Sequence, residues 1–246
     1  MKYDYQKEFV LHYSEIDSSA HFSLVSILNH IQNMSTEYFQ TMKIDNFTLS
    51  TQDNAVWVIT KTKIKLMKRP VWKDIIFVRI YTTKVSAIRY HVEISFEDVD
   101  KECIILAKQE FCAMDIATRR GRKISTIHFP NDLEVEEEKY IAEYRHLREL
   151  FTESEYVYSQ KVSSQDIDFS KHTNNVVYVR YLMNLFSCKE LEEKEVEEFE
   201  IHYLSESKEG QILKIYQKTI FENEIEFLVT NEAKEIARAY IIFKRR

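Results

Sequence analysis

The sequence predicts an α+β fold in which one unit, an antiparallel sheet wrapped around a long helix, is used twice. Three observations support this prediction. A polar motif, DxSxH, occurs at residues 17–21 and again at 168–172, so each residue of the second copy lies 151 positions after its counterpart. Apolar residues at helical spacing follow each copy, and segments of alternating apolar and polar residues follow each of these helices. Two similar halves are therefore expected.

Each copy of the motif is expected to begin a helix. Ser23 can cap the first helix and Asn174 or Asn175 the second, because such side chains accept hydrogen bonds from orphan amides in the first turn. The apolar residues at helical spacing are Leu24, Ile27, Leu28, Ile31, Tyr38, Phe39 and Met42 after the first copy, and Val176, Val179, Leu182, Met183 and Phe186 after the second.

Strands are predicted where apolar and polar residues alternate. The clearest case places Ile88, Tyr90, Val92, Ile94 and Phe96 on one face. The predicted strands lie near 6–13, 56–67, 75–84, 88–97 and 103–115, and near 155–163, 197–206, 211–221, 225–231 and 235–244. One strand, a helix and four more strands let a sheet bury the helix on one face, which is the hotdog unit, present here in tandem.

The predicted domains are an N-terminal hotdog unit at 1–130, a helical linker at 131–154 and a C-terminal hotdog unit at 155–246. The linker contains EVEEEKYIAEYRHLRELF, residues 134–151, and we expect a helix laid across the outside of the protein. The residues at helical spacing in this segment are Ile141, Tyr144, Leu147 and Phe151.

Composition excludes several classes of protein. Two glycines and two prolines cannot build a GxGxxG turn or a GxxxxGK[ST] loop, so Rossmann and P-loop nucleotide enzymes are excluded. Three cysteines without CxxC spacing indicate neither a disulfide framework nor a thiolate zinc site. The eight histidines form no HxxxH or HExxH pattern, so no metal is expected.

Charge and hydropathy suggest where the protein works. A formal net charge of −6 argues against binding to nucleic acid. The start of the chain lacks the apolar core of a signal peptide, and no run approaches the ~18 apolar residues of a membrane span. We therefore expect a cytoplasmic protein without membrane contact.

The second copy of the motif resembles a known family signature. DIDFSKHTNNVVY, residues 166–178, is similar to the DxNxHxNNxxY pattern of the acyl-acyl-carrier-protein thioesterases, the plant plastid enzymes and their bacterial relatives. The segments at 57–74 and 111–120 also resemble the first hotdog unit of that family. The resemblance implies hydrolysis of fatty acyl-acyl-carrier protein to free fatty acid and holo carrier protein, with the carrier protein as partner and no cofactor.

The resemblance also implies the residues of the site. In that family an Asp, an Asn and a His from the motif, with a Glu from a following strand, lie in the cleft between the two units. Carried over to this chain, these residues are Asp168, Ser170, His172 and, through YLSES resembling the family's YRREC, Glu206. Ser170 replaces the family Asn and can still donate one hydrogen bond. Ser207 stands where plant members have Cys, so attack by a thiolate is excluded there.

Hydrolysis of a thioester needs an attacking water, a base and donors for the developing oxyanion. Glu206 or Asp168 is expected to be the base, and His172 to orient the water or donate to the oxyanion. Amides near Asn174 and Asn175 are further candidate donors, because a helix N-terminus favours negative charge.

The first copy of the motif is expected to be inactive. Aligning KDII at 73–76 with EGQI at 209–212 places Pro70 opposite Glu206, so the first half has no carboxylate at that position. The resemblance implies that the first unit lines the acyl pocket, although ordinary core packing is the alternative for each candidate. These candidates are Leu24, Leu28, Trp57 and Ile59.

Two other functions are compatible with the same residues. One is hydrolysis of acyl-CoA, and the other is acyl binding without catalysis, which the change from Asn to Ser170 keeps open. A hotdog dehydratase is disfavoured, since its site usually pairs a His and an acid from two subunits and the sequence offers no second complete site. Fusion of two units supplies in one chain the pairing that single units obtain by dimerising, so a monomer or a homodimer is expected.

Overall fold

Residues 4–138, 142–232 and 234–245 are described by a computed structural model of the chain. They fall into two units. Unit 1 comprises Met1–Ile16 and His21–Ala142, and unit 2 comprises Asp17–Ala20 and Glu143–Arg246. The division after Ala142 lies inside the segment predicted as the linker, and the three predicted domain ranges stay a prediction.

Unit 1 is an antiparallel sheet with the helices placed after its first strand. The strands follow the order β1-β3-β4-β5-β2 across the sheet. Its described elements are β1 (Tyr5–Val10), α1 (Leu24–Thr41), α2 (Asn46–Gln52), β2 (Ala55–Leu66), β3 (Ile75–Val85), β4 (Arg89–Glu97) and β5 (Cys103–Asp115).

Unit 2 repeats this arrangement. Its strands follow the order β6-β8-β9-β10-β7, which is the permutation seen in unit 1. The predicted duplication of an α+β unit is therefore confirmed. Helices α2 and α4 were not predicted, and α3 has 9 residues against 18 in α1. The described elements are β6 (Tyr156–Lys161), α3 (Asn175–Met183), α4 (Cys188–Glu193), β7 (Lys194–Tyr203), β8 (Ile212–Phe221), β9 (Glu224–Thr230) and β10 (Glu235–Arg245).

Side-chain caps define the start of both main helices. The Ser23 hydroxyl accepts a hydrogen bond from the amide of Ser26 at 3.1 Å, and the Asn174 side chain accepts one from the amide of Val176 at 2.9 Å. Ser23 and Asn174 are thus confirmed as N-caps, and Asn175 is the first residue of α3. Each cap fixes the point at which the polar motif passes into a helix.

The sheet of unit 1 is buried on the face that the alternating pattern predicts. Tyr90, Val92, Ile94 and Phe96 of β4 are all fully buried. Ile88 lies before the first residue of β4 and is 39% exposed, so its assignment to that face was wrong.

The helix predicted over 134–151 is wrong for the described residues, because 133–138 and 142–152 have no regular secondary structure, and Ile141 lies outside the described residues. The amide of Glu136 donates to the carbonyl of Thr82 at 2.8 Å, and the amide of Arg145 donates to Glu200 Oε1 at 2.8 Å. Because these main-chain donors bond to the sheets, they are not available to a helical hydrogen-bond ladder.

The described linker covers charged residues on the outer sheet faces. Glu93 of β4 is fully buried although its position in the alternating pattern predicts exposure. In unit 1, Glu136 pairs with Arg79 and Glu138 pairs with the buried Lys108. In unit 2, Arg145 pairs with Glu198 at 3.1 Å. Each half of the linker thus packs on the sheet of its own unit.

Candidate active site

The residues before α3 form a tight turn around Asp168. Asp168 Oδ1 accepts hydrogen bonds from the amide of Ser170 at 2.8 Å and from its hydroxyl. The amide of Lys171 donates to the Asp168 carbonyl at 3.1 Å, with a φ of 67° at Lys171. In the described part of the chain, the Asp168 carboxylate and Ser170 therefore hold the turn that leads to His172.

The first copy of the motif forms the same turn. Asp17 Oδ1 accepts hydrogen bonds from the amide of Ser19 at 3.0 Å and from its hydroxyl at 2.6 Å. The amide of Ala20 donates to the Asp17 carbonyl at 2.9 Å, and Ala20 has a φ of 62°. The Asp and Ser of DxSxH therefore make the same local contacts in both copies.

His172 meets Glu206 across two loops of unit 2. His172 Nε2 lies 3.2 Å from Glu206 Oε2, and the two side chains are 19% and 37% exposed. The contact is an ion-pair distance between a ring nitrogen and a carboxylate oxygen. The contact makes an acid–imidazole pair that a small molecule can approach from solvent.

Glu206 lies in the loop between β7 and β8, so its placement in a strand was wrong. β7 ends at Tyr203, and the amides of Leu204 and Ser205 both donate to the carbonyl of Ile236, at 2.9 and 3.2 Å. Two donors on one carbonyl break the strand ladder, which frees the following residues to leave the sheet. This irregularity brings Glu206 to His172.

Ser207 is turned into the protein and is fully buried. Its hydroxyl lies 2.6 Å from Thr173 Oγ1 and 2.8 Å from the hydroxyl of Tyr178. Burial raises the pKa of Tyr178 and outweighs the opposing hydrogen bonds from Ser207 and Thr173, so the phenol stays protonated at neutral pH. As expected, only one of these two neighbours, Glu206, is exposed to solvent, although both lie in a loop and not in a strand.

Some of the main-chain amides at the start of α3 already donate to acceptors within the protein. The amide of Asn174 donates to the carbonyl of Asp166 at 2.9 Å, and the amide of Val176 donates to the Asn174 side chain. Asn175 is the first helical residue, and its amide is one of those that helix geometry leaves without an intrahelical acceptor.

Asp166 is a buried ionic anchor that the motif did not reveal. It accepts hydrogen bonds from the amide and the hydroxyl of Ser163, at 2.7 and 2.6 Å, and pairs with Arg180 of α3. Burial alone would raise its pKa, but these hydrogen bonds and the charge of Arg180 lower the pKa overall. The other acid of DIDFS therefore fastens the turn to the helix.

The main-chain bonds align the loops of the two units. In unit 1 the amide of Phe22 donates to the carbonyl of Pro70 at 2.8 Å, and in unit 2 the amide of Thr173 donates to the carbonyl of Ser207 at 2.9 Å. Since Phe22 and Thr173 are 151 positions apart, Pro70 corresponds to Ser207. The prediction that Pro70 stands opposite Glu206 was wrong by one residue.

Arg69 is therefore the counterpart of Glu206. A second pair of residues supports the alignment. Lys73 and Gly210 have φ values of 74° and 83°, and they are as far apart in sequence as Pro70 and Ser207. Arg69 is 9% exposed, and its guanidinium donates to the carbonyl of Phe22 at 2.8 and 3.0 Å. The first copy has a cation bound to the main chain where the second has a carboxylate.

The predicted pocket residues lie on α1 and β2. Leu24, Leu28 and Trp57 are buried and Ile59 is half-buried. Trp57 Nε1 donates to the carbonyl of Ile44 at 2.9 Å, and the ring contacts other aromatic rings of unit 1. These contacts are core packing, and a role in binding an acyl chain stays a prediction.

Three further observations concern cofactors and location. Among the described residues, no group of three or more His, Cys, Asp or Glu side chains is placed to hold a metal ion. Cys103, Cys112 and Cys188 are free thiols. The helices in the described ranges are all too short or too polar to cross a bilayer.

Comparison with known proteins identifies the fold. A crystal structure of an acyl-ACP thioesterase from Bacteroides thetaiotaomicron superposes with a TM-score of 0.90 at 21% identity, covering 98% of both chains. The structure of the 12:0-ACP thioesterase from Umbellularia californica gives a TM-score of 0.85 at 18% identity, covering 99% of this chain and 98% of that one. The fold is a tandem hotdog.

Family models then identify the family. The model of the acyl-ACP thioesterase N-terminal domain matches residues 2–127, and that of the C-terminal domain matches residues 149–245. The chain belongs to the acyl-ACP thioesterase family. The palmitoyl-acyl carrier protein thioesterase of Arabidopsis thaliana chloroplasts is 21% identical over 225 residues, which cover 85% of this chain and 53% of the relative. The chain spans about half the length of this curated relative.

Proposed function

We propose that this protein hydrolyses the thioester of fatty acyl-acyl-carrier protein to free fatty acid and holo carrier protein, with His172 and Glu206 at the reacting centre. The observation that carries the proposal is the 3.2 Å contact between His172 Nε2 and Glu206 Oε2. His172 belongs to the copy of the motif that matches the family signature, and Glu206 is the carboxylate that the resemblance implies. Membership of the acyl-ACP thioesterase family supports the reaction and the carrier protein as partner.

Glu206 is proposed as the general base. Asp168 and its counterpart Asp17 accept the same hydrogen bonds in the same kind of turn. Shaping the turn is therefore enough to account for both carboxylates, and neither needs a catalytic role. Glu206 has the opposite charge to its counterpart Arg69 and faces an imidazole. A carboxylate that is specific to one copy and accessible to solvent suits proton transfer from water.

The reaction then proceeds in two steps. Water attacks the thioester carbon while Glu206 takes its proton, and the carbonyl oxygen becomes an oxyanion. The imidazole of His172, 3.2 Å from Glu206, is proposed to hold the carboxylate in position, and the Asn175 amide at the start of α3 is the proposed donor to the oxyanion. Collapse of the intermediate breaks the carbon–sulfur bond, and the proton on Glu206 passes to the leaving sulfur. The products are a carboxylic acid and a free thiol, so atoms and protons balance without a cofactor.

The test is thiol release from a chain-length panel of acyl groups on carrier protein. We expect the purified chain to release thiol from at least one acyl length, and matched acyl-CoA substrates separate the two hydrolase functions. Release from CoA alone would replace the carrier protein as substrate. Acyl binding without thiol release at any length would contradict hydrolysis and favour a binding protein. The free thiols fit the proposed cytoplasmic location, which is a reducing compartment.

A further inference from the structure

Three buried hydroxyl groups lie directly beneath the His172–Glu206 pair. They belong to Thr173, Tyr178 and Ser207, which are 5%, 2% and 0% exposed. Ser207 Oγ is 2.6 Å from Thr173 Oγ1 and 2.8 Å from the Tyr178 hydroxyl, and Thr173 Oγ1 is also 3.2 Å from the Ser207 carbonyl. We call these three residues the hydroxyl clamp.

One direction of donation uses every hydroxyl proton in the clamp. Tyr178 donates to Ser207 Oγ, Ser207 donates to Thr173 Oγ1, and Thr173 donates to the Ser207 carbonyl. Each hydroxyl has a single proton, so reversing the first bond would require another acceptor for the buried phenol of Tyr178. In a buried site such a fully used chain is rigid, because every broken bond leaves a polar group away from water.

The clamp joins the two loops that carry the pair. Thr173 follows His172 directly, and Ser207 follows Glu206 directly. The amide of Thr173 also donates to the Ser207 carbonyl at 2.9 Å. Tyr178 bonds to the same serine from the second turn of α3. The clamp therefore controls the separation of the imidazole and the carboxylate through their covalent neighbours.

The first copy of the motif provides an internal comparison. Its counterparts of Thr173, Ser207 and Tyr178 are Phe22, Pro70 and Ile27. The main-chain bond from the Phe22 amide to the Pro70 carbonyl is kept, at 2.8 Å, while the three hydroxyls are replaced by apolar residues. The fold alone thus needs the backbone bond and not the hydroxyls, which occur together with the acid–imidazole pair.

We propose that Tyr178, Thr173 and Ser207 are positioning residues that set the distance between His172 and Glu206. This inference rests on the proposed function for its catalytic consequence, because a displaced acid–imidazole pair would no longer align the base with the attacking water. Because its three residues are buried, the clamp is proposed to act through His172 and Glu206 and not by direct contact with the substrate. Its effect is expected on kcat and not on KM.

The first test is Tyr178→Phe, which removes one hydroxyl and keeps the ring. We expect kcat for acyl-carrier-protein hydrolysis to fall on the order of 10- to 100-fold with KM unchanged, as for a small misplacement of reacting groups. The matched control is Tyr216→Phe, because Tyr216 is buried, its hydroxyl donates to Glu153 at 3.1 Å, and neither residue belongs to the clamp. The control should keep the wild-type kcat.

The second test reads the pair without activity. Nitrogen-15 spectra of labelled histidine, with the His172 signals assigned by the His172→Gln variant, report the contact between Nε2 and the Glu206 carboxylate. Glu206→Gln removes the carboxylate partner and gives the reference change. Tyr178→Phe and Ser207→Ala should shift the His172 signals toward that reference, whereas Thr173→Ser keeps its hydroxyl and should leave them in place.

The outcomes separate the clamp from the reaction. Unchanged kcat and unchanged His172 signals in Tyr178→Phe, with an active wild-type protein, would overturn the clamp. A wild-type protein that releases no thiol would overturn the proposed function, while shifted His172 signals would still support the clamp. If Tyr178→Phe does not fold, Ser207→Ala and Thr173→Val give the same two measurements, and wild-type behaviour in both of them would reject the inference.

Discussion

Arg69 and Glu206 occupy the same position in the two copies of one loop and carry opposite charges. The Arg69 guanidinium bonds to the main-chain carbonyl of Phe22, just before α1, whereas the Glu206 carboxylate faces the imidazole of His172. The DxSxH turns of the two copies make the same contacts. The copies differ in the residue that the loop after β2 or β7 places at this position. The two loops therefore share main-chain contacts and differ in the charge at this position.

Glu206→Gln should lower kcat by about 10²- to 10⁴-fold, because the amide cannot take the proton of the attacking water. The measurement is thiol release from carrier-bound acyl groups. Glu209→Gln is the matched control, since Glu209 is an exposed glutamate three residues further along the same loop. Equal losses in the two variants would show that the effect comes from surface charge and not from the base.

Asp168→Asn should reduce kcat far less than Glu206→Gln, by at least a factor of about ten. The reason is that the Asn side-chain oxygen can still accept the hydrogen bond from the Ser170 amide and keep the turn. Both variants are compared in the same thiol assay. A larger loss in Asp168→Asn would move the base to Asp168.

Asp166→Asn should lower the free energy of unfolding at pH 7 by about 1.5–3 kcal/mol, the range for hydrogen bonds to a charged group. The folded-state pKa of Asp166 is lowered, so its contribution is present above the pKa of the unfolded chain and is lost as the pH falls through the folded value. Urea unfolding at several pH values tests this. A difference between variant and wild type that grows in acid would contradict the assignment.

Arg238→Met should destabilise the protein by about 3–5 kcal/mol at neutral pH, because it leaves the buried Glu226 carboxylate without the guanidinium 3.3 Å away. Burial raises the pKa of Glu226 against the opposing charge of Arg238. The loss should shrink as the pH falls through that raised pKa, since a protonated carboxyl costs less to bury.

The control for Arg238→Met is Arg245→Met. Arg245 pairs with Glu222 at 3.0 Å, but both side chains are almost fully exposed, at 79% and 78%. An exposed pair contributes at most about 1 kcal/mol, so this variant should unfold near the wild-type denaturant concentration. Similar losses in the two variants would mean that burial is not the cause.

Much of the fold follows from local patterns in the sequence. Period-two segments predicted the strands to within a few residues, and the capping roles of Ser23 and Asn174 followed from their chemistry. The prediction of a helical linker failed because the apolar residues of this segment fit a helix, while the sheet residues that accept its main-chain hydrogen bonds are distant in sequence. The bond from the Arg145 amide to Glu200 joins residues 55 positions apart, which no local pattern reveals.

The candidate site was predicted in part. The motif and the resemblance identified His172 and Glu206, whose contact depends on an irregularity after Tyr203 that alternation does not encode. Unit 1 has the same irregularity, because the amides of Met67 and Lys68 both donate to the carbonyl of Ile104. The error of one residue at Pro70 therefore came from aligning KDII with EGQI, since the tertiary hydrogen bonds that set the register are not visible in the sequence. Tyr178 stood in the quoted motif, but its bond to Ser207 could be found only in three dimensions.

The contacts of the linker have a consequence for how such proteins can be recombined. Its halves neutralise charges on the backs of the sheets, through Glu136 and Glu138 in unit 1 and Arg145 in unit 2. A chimera that exchanged one hotdog unit and joined it through a generic flexible tether would leave buried ionic residues facing solvent or mismatched neighbours. A hotdog unit should therefore be exchanged together with its own half of the linker. Crossover points that separate a strand from the linker residues it contacts should yield insoluble hybrids.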